Sequence, residues 1–508
     1  MALSMGFAPA VDGVARDPWN LGPGEFAPAT SPERPSWQVT RWPVSRDAYN
    51  QLLQAARAAA AVPGAPAPLA PLVILNPPVI AHTLGGIGHT TFEPPDPAIA
   101  VGPTDIMTAV NDSFAVTAKG AMTPFVPLPL SALFGGVLPA NASMFDPRLA
   151  YDHFAQRWVV VAAARREAPA GSWIMIAASQ TPNPRGVYNT WALDGALDGA
   201  AATGNWADYP TLGFDEDAIY VTVNMFQIGG PFQYAKIRII NKTEAYAQAA
   251  SPLRWYDLWG MLNPDGSSAF TLQPAVHFRA APGPAYFANA LWPSGSTITQ
   301  WTLTNSLAAW ANPAAAPALT CVAVACNPYD LPPSADQPGG PGGIATDDAR
   351  LLNAEYREDA VSQGLWTCHT SKYSWPGDPQ ARSLAQWYQL NVAAGAIVQQ
   401  GHYGGPGKYY FFPTIQTAAN GDAFIAFAQS SAVDYVQLEV TGRGSGDPVG
   451  TLRGGTTIEA GTSAYAGSRW GDYFSICRDP ADSALVWIAG EYAGPAGVWA
   501  TQLCAVHL

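Results

Sequence analysis

An all-β, seven-bladed β-propeller with an N-terminal extension containing one helix is the fold this sequence predicts, on three observations. A Pro- or aromatic-led segment recurs along the chain, its body is Val, Ile, Trp, Tyr and Phe without a helical period, and Gly and Pro are dense throughout. The 508 residues include 48 Gly and 47 Pro, a density that breaks long helices and excludes a coiled coil or helical solenoid. Yet 48% are hydrophobic, with 18 Trp, 20 Tyr and 19 Phe, too much apolar material for a disordered chain. The net charge of -13 argues against nucleic acid, whose binders concentrate Lys and Arg.

Six segments open with Pro97, Pro147, Pro210, Pro274, Pro413 and Tyr473, and a weaker seventh with Arg350. Each continues as a short apolar strand, turns on Gly, Asn or Asp, and enters a second strand. The mean step is roughly 63 residues, near the blade period of propellers. That leaves room for four antiparallel strands per unit, and a closed ring buries faces that one hairpin would leave exposed. Two successive β-sandwiches are the alternative, but no linker divides residues 90–508. After Tyr473 only three strands fit, near 474–478, 484–490 and 498–505. An N-terminal segment, Leu72–Leu75 or Gly88–Phe92, is therefore expected to supply the outer strand of the last blade.

The domain reading is an extension over 1–84 that wraps the disc, and the propeller over 85–508. Within the extension, Ser45 as N-cap and Asp47 in the first turn start a helix that runs to about Ala61. No signal peptide is visible before Val11, and six prolines interrupt the most apolar window, 55–80, so no membrane span is expected. The low charge and high Trp, Pro and Gly content suit an extracellular or periplasmic protein. Five cysteines are few and odd in number. Cys321 and Cys326, in a Pro/Ala-rich loop, suit either a small disulfide or two free thiols.

The strings Pro94-Pro-Asp-Pro-Ala-Ile-Ala-Val-Gly-Pro, Phe145-Asp-Pro-Arg-Leu-Ala-Tyr-Asp, Trp206-Ala-Asp-Tyr-Pro-Thr-Leu-Gly and Arg469-Trp-Gly-Asp-Tyr resemble bacterial sialidase-like β-propeller proteins. The likeness covers about 85–508, and it implies the propeller and an exported origin. It transfers no chemistry. The Ser-x-Asp-x-Gly-x-x-Trp box of sialidases is missing and no three-Arg clamp can be placed, so a true sialidase is not expected.

Candidate chemistry gathers where innermost strands begin. Asp96, Asp146, Asp208, Asp472, and Asp347 or Asp348, hold that place in five units, with Gln273 and Phe412 in the others. Carboxylates converging on one axis repel unless a cation, a proton or an Arg lies between them. Three readings follow. Each Asp pins the neighbouring blade through backbone N–H groups; or Asp208 and Asp472 form an acid/base or acid/nucleophile pair; or the ring holds Ca²⁺, the natural ion for oxygen ligands, through residues such as Asp96 and Asp347. Arg148, Arg469, Tyr209 and Tyr473 would position a substrate, Asp146 is a further catalytic candidate, and His277 a possible base. A strand histidine such as His277 or His369 is more often structural. The run Asp215-Glu-Asp217 reads as a solvated turn. The Gly-rich 339–343 lacks the Lys-Ser/Thr of a phosphate loop, and no Gly-x-Ser-x-Gly elbow occurs. The expectation is a monomeric hydrolase or lyase acting on a glycan or similar polar ligand in the central funnel. A lectin-like binding module or scaffold is the alternative.

Overall fold

The computed structural model describes residues 3–21, 41–58, 75–120, 126–339, 343–467 and 469–508. It is an all-β propeller with few helices. The innermost strands are β1 (Ala98–Val101), β2 (Ser143–Asp152), β3 (Asn205–Phe214), β4 (Gln273–Pro274), β5 (Leu351–Glu358), β6 (Lys408–Thr417) and β7 (Ser475–Arg478). Each starts an antiparallel meander running outward. Successive inner strands touch in a closed circuit, with β7 returning to β1.

The expectation of seven separate blades is corrected. Five stand as discrete sheets of four or five strands, while the strands of the third and fifth units run in one ten-stranded sheet. The cause is local. β4 ends at Pro274: the Ala275 N–H still donates to the Tyr286 carbonyl, but the Tyr286 N–H goes to His277 Nε2 instead of returning a ladder bond. Its continuation, Val276–Arg279, then lies between β3 and β5 and pairs in parallel with both.

Two recurring devices make the inner strands. Asp96, Asp146, Tyr209, Thr271, Asp347 and Phe412 all adopt φ between 51° and 54°, and Pro follows four of them. At Asp146, Thr271 and Phe412 the backbone N–H donates to Asn111, Asn224 and Thr370 of the preceding unit. These bonds stitch unit to unit at a bulge that ladder bonds cannot satisfy. At the other end of the strands, Asp152, Asp215, Asp359 and Asp479 each accept two backbone N–H groups of the hairpin turn. The Asp215-Glu-Asp217 turn is therefore not a solvated tip: Asp215 is buried, and it also accepts from the Tyr220 hydroxyl.

Between sheets the core is aliphatic and aromatic. Val159, Val161, Ile174 and Ile176 pack on Ile219, Val221 and Trp255 of the next unit. Nine of the tryptophans are among the most deeply buried side chains, each removing a large apolar area from water.

The last sheet is closed by Val79–Gly85, antiparallel to Trp499–His507, not by either segment expected. Residues 72–74 lie outside the described residues, and Gly88–Phe92 forms a loop whose Phe92 carbonyl accepts from Trp499 Nε1. Ser4–Phe7 and Val14–Arg16 add edge strands to the third and second units. Helix α1 spans Arg46–Ala58, with Ser45 Oγ accepting the Ala48 N–H. Cys321 and Cys326 lie on one strand, Ala318–Tyr329, not in a loop. Five residues of strand separate their Cα atoms by about 17 Å, far beyond disulfide reach, and all five cysteines are free thiols. Of the 339–343 run, residues 340–342 lie outside the described residues.

Candidate active site

The bulges gather the predicted aspartates where the inner strands begin. Asp96, Asp146, Asp347, Asp348 and Asp472 are buried, whereas Asp208 is half-buried. Most are tied. Asp96 accepts the Asp472 N–H at 2.8 Å and the Asn111 amide at 2.5 Å. Arg469 Nη2 donates to both oxygens of Asp472, at 2.6 and 2.7 Å. Arg350 donates to Asp348 at 2.7 and 2.9 Å. Trp42 Nε1 donates to Asp347 at 2.7 Å and Tyr49 of α1 to the Asp347 carbonyl, so the N-terminal segment is anchored on this face. In the remaining units Gln273 donates to the Leu351 carbonyl, and Phe412 is core.

Burial, with Asp472 as the main like charge, pushes the Asp96 carboxyl up to about 7. Burial outweighs Arg350 and lifts Asp347 to about 8. Asp208 is pushed up to about 6, burial again leading and Arg41 opposing it. Asp146 is raised well above the carboxylate range by burial and by Asp96, Asp208 and Asp472.

Asp96, Asp146 and Asp472 each place one oxygen within 4.8 Å of the others and are the residues that could hold a cation. They do not fit Ca²⁺ well. Both Asp472 oxygens already receive Arg469, and Asp96 receives two donors, leaving too few free oxygens for a six- to eight-fold shell. The Arg469 guanidinium meets the repulsion here, and the raised pKa values of Asp96 and Asp146 favour their neutral forms. Asp347 stands outside this trio.

Arg148, Tyr209 and Tyr473 are brought together just behind the aspartates. The Tyr209 hydroxyl donates to the Asp472 carbonyl, and that of Tyr473 to the Pro147 carbonyl. Arg148 donates to the Pro210 carbonyl, with its Cζ 3.2 Å from the Tyr473 ring centroid and 5.1 Å from that of Tyr209. These bonds cross between the second, third and seventh units and plug the axis. Beneath the plug lies an axial cavity of about 440 Å³, and no ring aspartate lines it. The aspartate cluster and the central cavity are thus two separate places.

His277 is not brought to the ring. Nδ1 faces the Phe214 carbonyl, Nε2 accepts the Tyr286 N–H, and burial with Arg279 lowers its pKa to about 3. His369 is likewise occupied, by the Ala349 carbonyl and the Tyr388 hydroxyl. Residues that sequence reasoning missed are Arg41 and Arg165, whose guanidinium carbons lie 4.9 and 4.0 Å from the Trp206 ring centroid. Both act on Asp208 electrostatically. Nothing in the repeat marks Arg41, which arrives from the extension. Among the described residues no hydrogen bond reaches the Asp208 carboxylate.

No family model and no curated protein matches the chain. Solved structures do resemble it in fold. A protein of unknown function from Dyadobacter fermentans is similar at a TM-score of 0.40 and 8% identity, over 85% of this chain and 99% of that one. An α-L-arabinofuranosidase of Fusarium graminearum gives 0.39 and 9%, over 84% and 98%. A Trypanosoma rangeli sialidase, solved with sialic acid, gives 0.37 and 10%, over 80% of this chain and 59% of that one. Sialidase-like and arabinofuranosidase propellers are thus among the similar structures, a likeness of fold alone.

Proposed function

We propose that this propeller is a hydrolase acting on a glycan or similar polar substrate at the aspartate face, with Asp208 as the proton donor. The observation that supports it is the state of Asp208: half-buried, free of hydrogen bonds among the described residues, and lifted to about 6, near the ideal for an acid at neutral pH. Its carboxyl gives a proton to the leaving oxygen as the bond to that oxygen breaks. Water adds to the other fragment, and the proton it releases restores the carboxyl. Arg41 and Arg165 orient polar groups beside it. Asp472, bound to Arg469 and holding Tyr209 through its carbonyl, positions the surroundings. Asp146 and Asp96 carry raised pKa values as part of the same cluster.

The reading includes an exported monomer, with 1–84 as an extension whose end, from Val79, is built into the ring as its closing strand. The closed circuit of inner strands is read as seven blade positions, two of them sharing the ten-stranded sheet. A non-catalytic binding propeller is the second reading, favoured by the hydrogen bonds that tie Asp96, Asp347, Asp348 and Asp472 into the architecture.

A panel of α- and β-aryl glycosides separates the two. Hydrolysis by the wild type, lost at least about 100-fold in Asp208→Asn with unfolding undisturbed, supports the enzyme. No turnover of any member, or full turnover by the variant, sinks it.

A further inference from the structure

The axial cavity is lined by none of the ring aspartates and is separate from their chemistry. Its blind end is Arg148 under the tyrosine plug. Its open end lies among the exposed turn residues Pro480, Ala481 and Ser483, on the face away from the aspartates. A volume of about 440 Å³ is that of a small-molecule site.

The charge of its wall is opposite to that of the chain. Two guanidiniums, Arg148 and Arg478, line it, against a single carboxylate, Asp479, which Lys119 neutralises at 2.7 Å. Arg148 makes no ion pair among the described residues. Arg478 gives Nε and Nη2 to Thr417, at 3.0 and 2.9 Å, and its nearest carboxylate is Glu355 at 3.6 Å. No hydrogen bond uses its Nη1 among the described residues. Its Cζ lies 3.8 Å from the Phe278 ring centroid, and His153 stacks on the same ring at 4.7 Å with an interplanar angle of 9°. No hydrogen bond uses the His153 nitrogens among the described residues, and burial lowers its pKa to about 4, so Phe278 carries a neutral imidazole as well as the guanidinium. Gln273, Asn353 and Gln416 add amide groups along the wall.

We propose that this cavity binds a small hydroxylated organic carboxylate, which enters from the hairpin face, sets its carboxylate on the free edge of Arg478, and extends toward Arg148. A monoanion suits the site because Arg478, already paired with Glu355 at 3.6 Å, offers one free guanidinium edge. A phosphate dianion would be left undercompensated. The repeat carries a trace of this site: Arg279, Arg357 and Arg478 lie at or next to the ends of three inner-strand segments, yet of these only Arg478 lines the cavity.

Isothermal titration calorimetry with glucuronate, glucose and inorganic phosphate, on the full chain, tests the proposal. Glucuronate is expected to bind, with glucose and phosphate at least tenfold weaker. Arg478→Gln should weaken glucuronate at least tenfold, Arg478→Lys less, and Ala481→Trp, at the exposed rim, should block it without touching the arginine. Asp208→Asn should leave binding unchanged, which separates this site from the proposed hydrolase. The proposal is overturned if glucuronate does not bind, if phosphate binds as well, if folded Arg478→Gln binds like wild type, or if Asp208→Asn abolishes binding.

Discussion

Replacing Asp208 by Asn imitates a protonated carboxyl that can never ionise, and its effect on stability has a sign that depends on pH. In the folded chain the carboxyl rises from its ordinary 3.8 to about 6, chiefly through burial. A raised acid contributes its stability in full below the unfolded value, and that contribution is lost as pH rises through the folded one. Two pKa units correspond to about 3 kcal/mol. Partial exposure of Asp208 to solvent reduces this to about 1–2 kcal/mol. With an unfolding entropy of about 2.1 cal/mol/K per residue, a 508-residue chain shifts by about 1 °C per kcal/mol. Thermal melts should therefore coincide for wild type and Asp208→Asn at pH 4, and separate by about 1–2 °C at pH 8, the variant melting higher. Because no hydrogen bond reaches this carboxylate among the described residues, the amide introduces no donor clash. A variant less stable than wild type at pH 8, or a difference that ignores pH, would refute the reasoning. Asp208 would then be an ordinary ion-paired carboxylate, and the proton-donor role would fall with it.

Removing the guanidinium in Arg469→Gln strands the buried charge of Asp472, which should cost about 3–5 kcal/mol, read as a fall in denaturant midpoint; an unchanged midpoint would mean the pair is not needed. Leu84→Ala, in the strand that closes the last sheet against Trp487 and Leu503, should lose about 2–4 kcal/mol, and a surface-like loss below about 0.5 kcal/mol would deny that this strand locks the ring. A thiol reagent should label Cys321 quickly in the native protein, and all five cysteines after denaturation without reductant; fewer than five would reveal a disulfide.

The period was legible because each unit repeats its own local chemistry. A left-handed residue before Pro opens several inner strands, an Asp caps several first turns, and β-branched and aromatic residues fill the sheets between. Those signals are short-range, so Pro97, Pro147, Pro210 and Pro413 marked their strands well. At Pro274 the same signal misled. The ladder of β4 stopped where the Tyr286 N–H turned to the His277 ring, and whether its continuation would join neighbouring strands depended on two segments far away in sequence. The choice of Val79–Gly85 as the closing strand was equally non-local, since it is decided by which stretch fits the edge of Trp499–His507.

The site divides along the same line. Spacing alone placed carboxylates, with Tyr and Arg neighbours, at the head of five of the seven inner strands. Which of them would remain available was set in three dimensions. Arg469 took up Asp472, Asn111 took Asp96, Trp42 took Asp347, and only Asp208 was left half-exposed without a hydrogen-bond partner among the described residues. The sequence by itself determined an all-β ring with acids at one rim, because strand pattern, bulge and turn are written in neighbouring residues. Tertiary structure decided the plug of Tyr209, Tyr473 and Arg148, and with it the separation of that rim from the axial cavity. Burial, pairing and charge at a point depend on side chains that meet only after the chain has closed on itself.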